Sequence, residues 1–235
     1  MLVTQKEILE IPSLDIPNWN VLEKINIIEN GEPLVPISLS QEIVCYPAYY
    51  KMGLKYALNE CFVRESVFEK LVQVTHALPP NIRLVVLDGW RPIKLQSHLF
   101  NTLLNQIRKS NEHEHKSERE LINLARTFVS LPKKNKQSPS PHQTGGSVDV
   151  TLCDKEGRFL DMGSYFDEPG ERSWTSAYEC EPNLVQASNR RLLYQLMTDA
   201  GFTNLPVSGG ITILEIKCGL TILMLIELNM ELRDP

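Results

Sequence analysis

Between Arg64 and Leu78, apolar residues recur at Val67, Phe68, Leu71 and Val72, with His76 on the same stripe. Steps of three and four residues predict a helix, and Pro79-Pro80 ends it. Ile82 to Leu87 is an unbroken β-branched and apolar run, which predicts a buried strand. It leads directly into Asp88-Gly89-Trp90-Arg91-Pro92. A second helix is predicted from the stripe Leu95, Leu99, Leu103 and Ile107, and a third from about Glu118 to Val129. A polar, Pro- and Ser-rich loop follows at 133–141. Ser147 to Leu152 alternates strictly, as a strand does: Val148, Val150 and Leu152 share one face, and Ser147, Asp149 and Thr151 the other. Residues 154–183 read as turns. A last helix, from about Leu184 to Ala200, closes at Gly201. Residues 1–50 carry no helical period and read as extended segments and turns.

Composition narrows the class. The chain has 235 residues, 42% of them hydrophobic, enough to bury a core in one or two domains. A net charge of −5 without a long basic run argues against nucleic-acid binding, which needs clustered cations to neutralise phosphates. The basic cluster Lys133-Lys134-Asn-Lys136 reads as a solvated loop. The N-terminus shows no basic region followed by an apolar stretch, so no signal peptide is expected. No run reaches the roughly 20 apolar residues of a membrane span. Cys45, Cys61, Cys153, Cys180 and Cys218 are odd in number and widely spaced, which fits reduced thiols and a cytoplasmic location. Nothing in the chain sets its oligomeric state.

The chemistry centres on Ser140-Pro-His142-Gln-Thr-Gly145-Gly146-Ser-Val-Asp149. His142 ends a loop, and Asp149 lies on a strand face opposite the core. An imidazole and a carboxylate brought together this way suit zinc. The bare spacing fits a turn-capping histidine and a solvated aspartate equally well. His113 and His115 form a second possible pair, although their charged surroundings favour a solvated linker. His76 and His98 read as surface or boundary residues of helices.

The whole 140–149 string resembles the SxHxxGxAxD signature of the zinc D-alanyl-D-alanine dipeptidases, the VanX-like family. Ser147-Val148 is a mild departure from it. Leu87-Asp88-Gly89-Trp90-Arg91-Pro92 resembles the family's W-D-G-Y-R-P block. Met162-Gly163-Ser164-Tyr165-Phe166-Asp167, with Glu171-Arg172-Ser173, resembles its M-G-S-x-F-D…E-R-S block. Asn189-Arg190-Arg191-Leu192 through Gly201-Phe202 resembles its N-R-R-L…G-F helix.

That resemblance implies an α+β fold, with an antiparallel sheet bearing the zinc site and helices packed on its other face. It implies one zinc ion, with His142 and Asp149 as two of three protein ligands. It makes Arg91 the catalytic group that stabilises the transition state, though a structural ion pair with Asp88 or Asp167 is the other reading of that arginine. Asp167 would hold the ammonium of a small D-amino-acid dipeptide, with Asp88 and Ser140 assisting at the substrate.

The family's remaining pieces, a general-base glutamate and a third zinc ligand, arrive together as Glu-Trp-Trp-His. After Leu205-Pro206 this chain instead reads Val207-Ser-Gly-Gly-Ile211, and no histidine follows His142. Back-translated with freely chosen degenerate bases, this stretch can be written so that one added base before codon 207 makes it read Ser-Glu-Trp-Trp-His, with the glutamate at position 208 and the histidine at 211. Residues 1–206 are therefore expected to form a single dipeptidase-like domain, and 207–235 an aberrant apolar tail from a one-base deletion. The inherited function is hydrolysis of D-Ala-D-Ala, impaired in this chain. An inactive product and a peptidase for longer cell-wall peptides remain as alternatives.

Overall fold

The computed structural model describes residues 10–13, 29–132, 139–168, 170–181, 184–204 and 213–215, the last as backbone alone. The loop 133–138 and most of the tail, including 205–212, lie outside the described residues.

The predicted elements form close to their expected bounds. Strands β1 (Leu34–Pro36), β2 (Val44–Cys45), β3 (Phe62–Arg64), β4 (Ile82–Asp88) and β5 (Ser147–Asp154) precede β6 (Thr203–Asn204) and β7 (Ile213–Glu215). Helices are α1 (Ala48–Lys51), α2 (Glu65–Ala77), α3 (Ile93–Lys109), α4 (Glu118–Phe128), α5 (Pro141–Thr144) and α6 (Val185–Asp199). The start of α4 is fixed by a capping box. Ser117 Oγ accepts from the Glu120 amide, and Glu120 Oε2 accepts from the Ser117 amide at 2.8 Å.

The main sheet runs β2-β4-β5-β7-β6, beside a separate β1-β3 pair. It is antiparallel from β4 to β6, as expected, and β2 adds a parallel edge. Alternation sends Leu84, Val86, Val148, Val150 and Leu152 to one face. There they meet Val67, Leu71, Leu193 and Met197 of α2 and α6 in the principal core. The other face buries Val85, Leu87 and Cys153 against Ala48 of α1.

Two features add to the sequence-based picture. The α3 core residues are Leu95, Gln96, Phe100, Leu104 and Ile107. Leu99 and Leu103 of the predicted stripe are only half-buried, because α4 draws Phe100 and Leu104 into a satellite core. The second feature is in the expected tail, where backbone 213–215 pairs with both β5 and β6. Backbone ladders accept any residue with an N–H, so this pairing does not depend on side-chain chemistry. Cys45, Cys61, Cys153 and Cys180 are free thiols, and Cys218 lies outside the described residues. Among the described residues no helix is long and apolar enough to cross a membrane.

At the end of β4 the ladder slips. Val86 pairs with Val150, but Asp88 pairs with Asp149, so one extra residue is absorbed in a bulge. The slip turns Asp88 toward the face that carries Asp149, a re-aiming that bulges commonly perform beside functional sites. The next residue, Gly89, lies so close to β3 that a Cβ there would stand 2.3 Å from the Phe62 carbonyl oxygen. Gly89→Ala should therefore lower stability by about 1–3 kcal/mol, read from the urea unfolding midpoint. An unchanged midpoint would show that the strand yields freely.

Candidate metal centre

The 88–92 and 140–149 segments are knitted through their backbones. Arg91 N–H donates to the His142 carbonyl at 3.0 Å, and Trp90 Nε1 donates to the Gln143 carbonyl at 3.2 Å. Gly145 closes α5 with φ +76°, where a Cβ would collide with Leu34. The chain then passes directly into β5 with Asp149.

His142 Nδ1 lies 2.8 Å from the Gly89 carbonyl. A carbonyl only accepts, so Nδ1 carries the proton and Nε2 keeps its lone pair. Nε2 stands 3.5 Å from Asp149 Oδ1. Both atoms are buried and neither has a hydrogen-bond partner. Orphaned acceptors are costly when dry, and two facing one another are the signature of a cation site. A carbonyl fixing the far nitrogen is also the usual second-shell support of a metal-bound histidine.

Among the described residues, the one cluster with metal-ligating geometry is Asp88, His142 and Asp149. Asp88 is differently placed from the other two. Its Oδ2 lies 3.4 Å from Nδ1, the protonated side of His142, and accepts from Arg91 Nε at 2.8 Å. The described residues thus fit two ligands well, and Asp88 serves them from behind.

Arg91 is buried at the centre. Nε and Nη1 are held by Asp88 and by Gln96 Oε1, at 2.8 and 3.0 Å. Gln96 is itself anchored through the Ser130 carbonyl at 2.7 Å. Nη2 lies 2.8 Å from the same Asp88 Oδ2 and makes longer contacts, 3.3 Å to Tyr49 Oη and 3.4 Å to Asp149 Oδ2. The guanidinium also lies 5.0 Å from the Tyr49 ring centroid. Burial opposes its charge, but Tyr49, Asp88, Asp149 and Asp167 override that and hold it firmly protonated. Burial pushes the Asp88 carboxyl up, against the pull of Arg91 and His142. Burial and Arg91 oppose charge on His142, yet Asp149 and Asp88 leave its pKa raised.

Asp167 comes from a loop with φ +57°. Its Oδ2 accepts from Tyr49 Oη at 2.5 Å. Its low-dielectric surroundings push the carboxyl up to about 6, with Asp149 and Asp88 adding to the rise and Arg91 opposing it. The residue as a whole is exposed, so it sits at an opening where solvent moderates that shift.

The structure therefore gathers Asp88, Arg91, His142, Asp149 and Asp167. Ser140 is buried nearby, with its hydroxyl donating to Gln143 Oε1 at 2.7 Å as part of the α5 cap. Tyr49 and Gln96 were not foreseen. Tyr49 lies 118 positions from Asp167 in a stretch without periodicity, and Gln96 occupies a core position of α3. His76 is exposed against Glu42, and His98 packs edge-on to Tyr56.

The chain as a whole is similar to known peptidases. A peptidase M15 family profile, described as D-ala-D-ala dipeptidase, matches residues 41–208. A D-alanyl-D-alanine dipeptidase from Synechocystis is 31% identical over 207 residues, covering 77% of this chain and 81% of that protein. One from Escherichia coli is 42% identical over 66 residues, 28% of this chain and 33% of that protein. The solved vancomycin-resistance D,D-dipeptidase VanXYg, bound to a D-Ala-D-Ala phosphinate analogue, superposes with a TM-score of 0.40 at 16% identity. That superposition covers 86% of this chain and 66% of the other, and it is too loose to bear on the site.

Removing Arg91 would leave Asp88 and Asp149 buried without their cation. Arg91→Met should cost about 3–5 kcal/mol at pH 7.5 and less at pH 5, because Asp167, pushed up to about 6, and Asp88, raised by burial, take protons more readily once the guanidinium is gone. Thermal unfolding at the two pH values checks this. An equal loss at both would mean that packing, not charge, is at stake.

Proposed function

Because this chain belongs to the M15 D-Ala-D-Ala dipeptidase family, we propose that its site is built around one zinc ion to hydrolyse the D-alanyl-D-alanine dipeptide. The observation that carries the reading is the facing pair His142 Nε2 and Asp149 Oδ1, buried, unpartnered and 3.5 Å apart beside a fixed guanidinium. Zinc held there would supply a Lewis acid and a water acidified toward a pKa of about 7.

The protein's own groups divide the remaining work. Attack on the peptide carbonyl builds negative charge on its oxygen. Arg91, fixed by Asp88 through Nε and Nη2 and by Gln96 through Nη1, presents a buried, charged guanidinium to that oxygen. One such donor is typically worth about 2.7–4 kcal/mol in the transition state. Asp88 and Gln96 hold Arg91 in place. Asp167, aligned by Tyr49, takes the substrate's ammonium. Charge supports this division. Asp88, Asp149 and Asp167 surround a single guanidinium, and a divalent cation neutralises the excess. A zwitterionic dipeptide then enters without adding net charge. Ser140 stands ready to assist at the substrate only through the lone pair that its cap leaves over.

The described residues hold no free general base. The family's Glu-x-x-His segment corresponds to positions 208–211, outside the described residues, where the sequence supplies neither group. The family match stops at residue 208, which supports a reading frame lost near codon 206. Under this reading the gene is a disrupted dipeptidase gene, and residues 207–235 are its out-of-frame tail. A peptidase for longer wall peptides is the less favoured reading, since Asp167 needs a free ammonium.

As isolated, the chain should carry substoichiometric zinc by elemental analysis and show negligible D-Ala-D-Ala turnover. One tightly bound zinc with full activity would overturn the account of the tail. The nucleotide sequence around codon 206 should yield Glu-Trp-Trp-His on adding a single base; if no single insertion does so, the frameshift is wrong.

Binding of D-Ala-D-Ala, followed by calorimetry, should weaken as pH falls through about 6, because protonated Asp167 no longer attracts an ammonium. Asp167→Asn should flatten that profile. A wild-type profile that stays level from pH 7.5 to 5 would remove Asp167 from amine recognition.

A further inference from the structure

A cavity of about 600 Å³ opens beside Tyr49 and Asp167. Most of its exposed lining is apolar, contributed by Met52, Leu54, Leu99, Leu103 and Phe128, with Lys55, His98, Gln106 and Glu168 interspersed. Leu99 and Leu103 are the two stripe residues of α3 that stay half-buried, Leu103 touching the satellite core on one side, and Met52 is largely exposed. Leaving this much apolar wall wet is unfavourable, and contact with an apolar group would relieve it. A terminal methyl group, as on the first residue of D-Ala-D-Ala, fills only a small part of such a volume.

We propose that this cavity is a side-chain subsite, and that the chain selects dipeptides with a bulky apolar N-terminal D-residue. The inference rests on the dipeptide reading above. The two polar residues of the cavity wall nearest the metal centre are the hydrogen-bonded pair Tyr49 and Asp167, which that reading assigns to the substrate amine. A free ammonium fixed there leaves its own residue's side chain at the cavity entrance. The occupant is a side chain rather than a peptide extension. An N-acyl group would replace the ammonium with a neutral amide and leave the Asp167 carboxylate uncompensated.

Binding separates these possibilities without needing turnover. Titration calorimetry at pH 7.5, on the full chain with zinc chloride present, would compare D-Ala-D-Ala, D-Phe-D-Ala and N-acetyl-D-Phe-D-Ala. The subsite predicts at least about ten-fold tighter binding of D-Phe-D-Ala than of D-Ala-D-Ala, and loss of binding on acetylation. Thr102 lines the cavity, is exposed and lies outside the catalytic groups. Thr102→Trp should abolish the D-Phe-D-Ala preference while leaving D-Ala-D-Ala binding intact, which also reports an intact fold. Equal or weaker binding of D-Phe-D-Ala, or a preference that survives Thr102→Trp, overturns the subsite alone. Equal binding of the acetylated dipeptide assigns the cavity to chain extension and overturns it too. If neither free dipeptide binds, the dipeptide reading itself fails.

Discussion

The site depends on one buried guanidinium. Arg91 must be charged to balance Asp88, Asp149 and Asp167, and it must be fixed to be useful. Both requirements fall on the same contacts. Asp88 takes Nε and Nη2 and Gln96 takes Nη1, all within 3.0 Å, and the Tyr49 ring covers the face. Nη2 also reaches Tyr49 and Asp149 at longer range. A lysine could not replace it, because a single ammonium cannot span these partners in one fixed plane.

The side chains that hold the guanidinium are themselves placed by backbone geometry. The bulge at the end of β4 brings Asp88 level with Asp149. The absence of a side chain at Gly89 lets the turn press against β3, and the Gly89 carbonyl then sets the tautomer of His142. One slipped residue and one glycine thus determine where three site residues point. The proposed metal ligands and the proposed oxyanion donor are positioned by the same few backbone hydrogen bonds.

Most of the framework was legible in the sequence. The β4 run, the alternation of β5 and the periodicity of α2 and α6 each have a simple burial pattern behind them. His142, Asp149, Arg91, Asp88 and Asp167 were identified by spacing and family resemblance, and the structure brings them together. What escaped has physical reasons. The bulge leaves no periodic trace, since one extra residue looks like continued strand. Tyr49 reaches Asp167 only through tertiary folding. A lone glutamine such as Gln96 carries no signal of burial, yet its amide is satisfied on both sides by Arg91 and Ser130. The Leu99–Leu103 stripe predicts the helix, but periodicity shows a face and not what that face meets.

The central claim is that a sound metal half-site lacks only what the altered tail removed. Inserting one base before codon 207 and measuring zinc content together with D-Ala-D-Ala hydrolysis tests it most directly. Bound zinc should rise to about one per chain and hydrolysis should appear, with both lost again in His142→Ala. A restored chain that binds no more zinc and remains inactive would contradict the claim.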